Sequence, residues 1–219
     1  MSRRGLFVTL EGIDRSGKST QAQLLAEALG CDAVAVREPG GTAVGEQVRS
    51  LVKDPSTAPS PRAEALLFAA ARAQLVAEVI EPALARGLTV VCDRFLDSSL
   101  AYQGAARGLG VDEVRAINRF GMRDLAPDLT LLLDIDPAAA SAREGELDRF
   151  EAEGASLQVQ VVDAYHALAR AEPERWRVVY AGRDQATVHA EILALVRLQA
   201  AAGRHEGQRA QHDRDVTPE

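Results

Sequence analysis

The chain has 219 residues with a formal net charge of −7, and 4% of them are aromatic. That length suits one α/β domain, with room for a small lid, burying about 70% of its unfolded surface. The acidic balance without a basic stripe argues against a nucleic-acid track, and the lack of a secretory segment or an apolar run of about 18 residues leads us to expect a soluble, cytoplasmic protein with no membrane partner.

The first predicted element is a short apolar strand, Leu6 to Leu10. It runs into Gly12-Ile13-Asp14-Arg15-Ser16-Gly17-Lys18-Ser19, the GxxxxGKS spacing of a phosphate-binding loop, and a helix from Lys18 to about Leu29 follows, stopped by Gly30. Gly12 and Gly17 let the backbone curl so that successive N–H groups converge on phosphate oxygens. Lys18 brings positive charge to the terminal phosphates, and the Ser19 hydroxyl suits the magnesium that accompanies them. The helix points its positive end into the same space, with an expected apolar face of Ala22, Leu25, Ala28 and Leu29. This establishes a nucleoside triphosphate site without saying what is done there.

A second strand, Ala33 to Val36, leads into Arg37-Glu38-Pro39-Gly40-Gly41-Thr42, a tight turn near the mouth of the site. Arg49 follows where a helix begins, and it either lies on the surface or reaches an anion. A long helix is expected from Pro61 to Arg86, with Ser60 as N-cap, Gly87 as stop and a kink or break at Pro82. On it Phe68 and Arg72 share a face. Phe68 either fills the core or stacks on a flat ring whose edge Arg72 bonds. The third strand, Leu88 to Cys92, ends in Asp93-Arg94, an aspartate for magnesium and an arginine for a second phosphate. The Phe95 to Gly104 segment is dense in hydrogen-bonding groups beside polar loops, and its Phe95 and Tyr102 are expected to hold a flat ring and not to fill the core. Cys31 and Cys92 lie in or beside apolar segments and read as buried, reduced thiols.

Asp112 to Gly121 reads as a helix, and Leu129 to Ile135 as the fourth strand. Asp134 at its end rivals Asp93 for the metal, with Asp93 favoured because Arg94 gives the pair a joint purpose. Ala138 to Glu151 is either a solvated helix face or a mobile lid. Helices over Ala155 to Ala171 and Ala186 to Ala200 flank a fifth strand, Arg177 to Tyr180, while the polar stretch Gly203 to Glu219 is expected to be a disordered tail. The alternation predicts a three-layer α/β fold: a five-stranded parallel sheet of doubly buried strands flanked by helices, with a short lid, over residues 1–202. Ligands of such sheets lie beyond the carboxyl ends of the strands, here after residues 10, 36, 92, 135 and 180.

The stretches LEGIDRSGKSTQ, REPGGT, DRFLDSSLAYQGAARGLG, PDLTLLLDID and GELDRFE, in this order and spacing, resemble the thymidylate kinase family of P-loop nucleoside monophosphate kinases. The resemblance implies transfer of the γ-phosphoryl of ATP to dTMP with Mg2+, in a homodimer. It implies an ATP site from Gly12 through Ile13, Asp14, Arg15, Ser16, Gly17, Lys18 and Ser19 to Thr20. Phe68 resembles the ring stacked on thymine, and Arg72 the side chain at the base edge. Ser99, Tyr102 and Gln103 match positions at the base or beneath the deoxyribose, the tyrosine disfavouring a ribose 2′-hydroxyl. Arg94 and Arg49 resemble ligands of the dTMP phosphate, Pro39 lies in the substrate turn, and Asp14 resembles a residue bonding the sugar hydroxyl or magnesium. Arg143, Asp148, Arg149 and Glu151 belong to the lid.

Two departures stand out. Ala71 precedes Arg72 where many members have aspartate, removing one orienting partner. The lid also carries few arginines, while Arg15 sits inside the phosphate loop, as in members whose lids lack catalytic arginines. Arg15 is therefore the expected principal transition-state cation, with Arg143 or Arg149 auxiliary. The alternatives are a kinase for another nucleoside or nucleoside monophosphate and a non-catalytic NTP switch. An Asn-Lys-x-Asp guanine-reading motif is missing from the sequence.

Overall fold

Short runs of Val, Leu, Phe and Cys form five parallel strands: β1 (Phe7–Glu11), β2 (Ala33–Arg37), β3 (Thr89–Asp93), β4 (Leu129–Asp134) and β5 (Trp176–Tyr180). They lie in the order β2-β3-β1-β4-β5. The structure is a computed structural model, and it describes residues 4–143 and 155–216. The inner strands are buried on both faces as expected, but the edge strands are not: β2 and β5 each leave residues in solvent. An edge strand has a neighbour on one side only, so half-burial follows from position and not from composition.

Every strand lies within one residue of its predicted bounds, whereas the helices differ more. Helix α1 (Lys18–Leu29) has its predicted limits, yet its buried stripe is Lys18, Gln21, Ala22 and Leu25, and Ala28 is exposed. The stripe is turned toward the phosphate loop, which takes two polar side chains inside. Helix α2 (Ala43–Lys53) is capped by the Thr42 side chain, which accepts from the Gly45 N–H.

The predicted Pro61–Arg86 helix is three pieces. They are α3 (Pro61–Leu75), a π-helical turn Val76–Ile80, and α4 (Glu81–Ala85). Pro82 sits in the first turn of α4, where its missing N–H costs nothing and the wide turn before it accommodates the ring. The segment after Arg94 is helical and not a polar loop, with α5 (Leu96–Ser99) running into a π-helical stretch Leu100–Ala106, and Phe95 before it fills the core edge-on to Phe7 instead of facing a ligand. Its start is anchored by Asp97, which accepts a bidentate pair from Arg175 at 2.7 and 2.8 Å.

Helix α6 (Val111–Met122) packs on α3 and the 100–106 stretch. Helix α7 (Pro137–Ser141) is capped by Asp136. Helix α8 (Ala155–Ala171) packs on β4, β5 and the 100–106 stretch. Helix α9 (Gln185–Val216) continues its backbone beyond Gly203, where the polar composition predicts no structure. The residue types there include Ala, Arg, Gln and Glu, which are good helix formers even without an apolar face to bury. Cys92 is buried but Cys31 is exposed, because it falls in the 3-10 turn Gly30–Asp32 and not in the strand.

Candidate active site

β1 delivers the chain to the middle of the sheet, and the loop after it closes over the carboxyl ends of the strands. Gly12 adopts φ 140°, and a Cβ there would lie 2.7 Å from the Leu133 carbonyl oxygen, so only glycine lets β1 turn this close to β4. Gly17, at φ 97°, sets up the N-terminus of α1. Between them Arg15 takes a left-handed conformation, φ 59°, which aims its side chain out of the loop toward the end of α7. There its Nη1 donates to the carbonyl oxygens of Ser141 at 3.4 Å and Arg143 at 3.0 Å. Arg143 replies, donating to the Arg15 oxygen at 3.0 Å and the Ala181 oxygen at 2.6 Å.

A cavity of about 580 Å³ opens above this loop. Residues Asp14 to Thr20 line one part of it; Pro39, Arg49, Phe68, Arg94, Ser99, Tyr102 and Gln103 line another. The two groups meet at Asp14 and Arg94. Arg94 Nη2 donates to Asp14 Oδ1 at 2.6 Å, and its Nη1 to the Gly12 oxygen at 2.9 Å and Ser98 Oγ at 3.1 Å. The Tyr102 hydroxyl donates to Asp14 Oδ2 at 3.1 Å. Arg94 too is left-handed, φ 68°, a conformation that turns its guanidinium back over the phosphate loop. Arg49 donates to the Pro39 oxygen at 2.9 Å, fixing the turn after β2.

Arg72 lies behind this wall and does not line the cavity. It is 1% exposed. Its Nε donates to Glu38 Oε2 at 2.8 Å, Nη1 to Asn118 Oδ1 at 2.5 Å, and Nη2 to the Phe95 oxygen at 3.1 Å and Ser99 Oγ at 3.0 Å. Glu38 and Asn118 thus orient Arg72 where Ala71 cannot. Phe68 is half-buried and lines the cavity.

Ser19 Oγ donates to Asp93 Oδ2 at 2.5 Å, while Asp93 Oδ1 is buried without a hydrogen-bond partner among the described residues. An orphaned carboxylate oxygen beside the loop serine is suited to a hydrated divalent cation. Asp134 is placed elsewhere, 3.1 Å from His166 Nε2 and outside the cavity. Among the described residues no three His, Cys, Asp or Glu side chains cluster as a metal site, so a cation here would draw on nucleotide phosphates and water for its remaining ligands.

The electrostatics follow from burial. Lys18 is pushed down to about 8, first by burial and then by Arg94. Its Nζ donates to the Ile13 oxygen at 2.5 Å and Ser16 Oγ at 3.2 Å. Burial would raise Asp14, but Arg94 and Lys18 hold its carboxyl below the usual value. Burial and then Asp97 push Glu11, under the loop, up to about 7. Glu11 accepts from the Phe95 N–H at 2.8 Å, Ser98 Oγ at 2.6 Å and the Tyr165 hydroxyl at 2.9 Å.

Residues 10–192 match the family model described as Thymidylate kinase. The chain belongs to the thymidylate kinase family. A thymidylate kinase of Leifsonia xyli is 50% identical over 198 residues, covering 87% of this chain and 94% of its own. One of Clavibacter sepedonicus is 48% identical over 206 residues, 91% of this chain and 98% of its own. The crystal structure of thymidylate kinase from Ehrlichia chaffeensis superposes with a TM-score of 0.73 at 32% identity, covering 88% of this chain and 99% of that one. As a thymidylate kinase the chain is a phosphotransferase that phosphorylates dTMP to dTDP with ATP.

Of the residues expected in a lid, Arg143, Asp148, Arg149 and Glu151, only Arg143 falls within the described residues, where it lines the cavity beside the loop. Glu11, Glu38, Gln158 and Tyr165 also shape the site, and no motif of the sequence assigns them a role. Gln158 Nε2 donates to Asp14 Oδ2 at 3.3 Å. Gln158 and Tyr165 stand two turns apart on one face of α8, and that polar spacing among Leu157, Val161 and Val162 was the available signal.

Proposed function

We propose that this thymidylate kinase transfers the phosphoryl group across the Asp14–Arg94 junction, with ATP on the phosphate-loop side and dTMP on the Phe68 side. The observation that carries this reading is that one cavity holds both an NTP cradle and a second, separately built cation against an aromatic-lined wall. The acceptor is a phosphate monoester with second pKa near 6, so its attacking oxygen is mostly ionised at neutral pH and needs no general base. The task is to bring two polyanions together in line. Lys18 and the loop N–H groups take the terminal phosphates of ATP, and Arg94, with Arg49, takes the phosphate of dTMP. Arg15 supplies the charge that stabilises the transferring group, with Arg143 auxiliary. Ser19 and Asp93 would hold Mg2+, which supplies charge neutralisation at the triphosphate.

Phe68 stacks on the thymine, Ser99, Tyr102 and Gln103 complete the base and sugar site, and Arg72, which does not reach the base, holds the Ser99 hydroxyl from behind. Tyr102, tied to Asp14, fills the space that a ribose 2′-hydroxyl would need. Arg183, which lines the cavity and donates to the Tyr180 oxygen, stands by the adenine. The unpaired thiols of Cys31 and Cys92 suit a reducing cytoplasm. A homodimer is supported by exposed apolar side chains on three helices that pack side by side: Val44 and Leu51 on α2, Leu66 on α3, and Ile117 and Phe120 on α6. Incubation with ATP, magnesium and a panel of nucleoside monophosphates tests the assignment. Phosphorylation of dTMP faster than of dCMP, dGMP and UMP is expected, and equal rates would overturn the base site.

A further inference from the structure

Glu64 on α3 is 1% exposed and performs no task in the transfer described above. Its Oε1 accepts from Gln103 Nε2 at 2.9 Å and from Arg107 Nε at 3.1 Å, and its Oε2 accepts from Arg107 Nη2 at 3.2 Å. Gln103 is 2% exposed and lines the cavity, as Tyr102 and Phe68 do. A primary amide can be turned end for end with little change in shape, exchanging a donor for an acceptor. Glu64 removes that freedom. A carboxylate gripped by an arginine fork only accepts, so it takes the nitrogen end of the Gln103 amide and repels the oxygen end. With the nitrogen committed, the carbonyl oxygen is the end left to the cavity.

We propose that Glu64 is a positioning residue that locks Gln103 with its carbonyl toward the base, so that the pocket selects a pyrimidine whose ring nitrogen carries a proton. The inference rests on reading Gln103 as a base contact. Thymine presents an N–H between its two carbonyl groups, which pairs with an acceptor. Cytosine presents a bare nitrogen lone pair at the same place, and an acceptor facing a lone pair in a desolvated site rejects it. Selectivity for dTMP over dCMP is then set in part by a carboxylate that stands behind the wall of the site.

The test compares kcat/KM for dTMP and dCMP in the wild type, Glu64→Gln, Gln103→Ala and the double variant. A glutamine at position 64 can face Gln103 with either end, so the lock is lost while the volume is kept. Both single changes are expected to lower the dTMP-to-dCMP ratio by about tenfold or more, chiefly through KM for dTMP. The double variant is expected to be no less selective than Gln103→Ala alone, because Glu64 acts through Gln103. A parallel loss on both substrates with the ratio unchanged in Glu64→Gln, while Gln103→Ala lowers it, would show Glu64 to be structural only. An unchanged ratio in Gln103→Ala would instead remove the base-contact reading, and the proposal with it. If Glu64→Gln does not fold, Glu64→Asp carries the test, since its shorter carboxylate can keep Arg107 while withdrawing from Gln103. Wild-type selectivity in that variant overturns the proposal.

Discussion

Arg15 and Arg143 each donate to the other's backbone carbonyl, both at 3.0 Å, although they lie 128 positions apart. The phosphate loop and the chain after α7 are thereby tied at the mouth of the cavity. Arg15 reaches this place because its left-handed backbone turns it out of the loop. We expect Arg15→Ala to lower kcat by about 10³-fold or more, as removal of a transition-state arginine does, and Arg143→Ala by much less. Near wild-type turnover in Arg15→Ala beside an inactive Arg143→Ala would reverse the assignment.

Lys18 gives nucleotide binding a pH dependence. Burial, and then Arg94, push its ammonium down to about 8. Above that pH the side chain becomes neutral and its attraction for phosphate is lost, whereas below it the charge is present. Affinity for ATP should weaken progressively from pH 8 to 9.5, by up to about tenfold per pH unit from this one proton. Titration calorimetry over that range checks it, and a flat profile would mean that the charge persists.

Glu11 leaves its mark on stability. Its folded-state pKa is raised to about 7 from an ordinary 4.5. Between those values the native state holds a proton that the unfolded chain has released, so its stabilising contribution is full below about pH 4.5 and is lost as pH rises through 7. Glu11→Gln imitates the protonated form. The variant should gain on the wild type by up to about 3 kcal/mol between pH 4.5 and 7.5, read from urea melts at several pH values.

Arg72 and Glu38 form a pair with both side chains almost fully buried, Nη2 to Oε2 2.6 Å. Burial pushes the Glu38 carboxyl up to about 7 even with the arginine beside it. Arg72→Met would strand that carboxylate and free Asn118 and Ser99 of a donor. A loss of about 3–5 kcal/mol is expected in chemical denaturation at pH 8. Arg72→Met together with Glu38→Gln should recover part of it.

Phe120 is 96% exposed, the most exposed of the large apolar side chains on the α2–α3–α6 surface. Phe120→Glu should convert a dimer to a monomer in analytical ultracentrifugation, with the monomer's fold retained by circular dichroism. A wild type that sediments as a monomer would remove that interface.

Much of this protein was legible in the chain alone. GxxxxGKS between an apolar run and a helical period determined the phosphate cradle, and five apolar runs separated by helical patterns determined the parallel sheet, because both are properties of neighbouring residues. The loop arginine and the Asp93-Arg94 ending of β3 were visible for the same reason. Tertiary structure alone decided that Arg72 stands behind the cavity in the grip of Glu38 and Asn118. It also decided that Glu64 meets Gln103, and that Glu11 is buried under Ser98 and Tyr165. These pairs come from segments that the fold brings together from 34 to 154 positions apart, and no local periodicity records them. A hydrogen bond needs two partners within about 3 Å, and only the packing of helices on the sheet determines which distant side chains come that close.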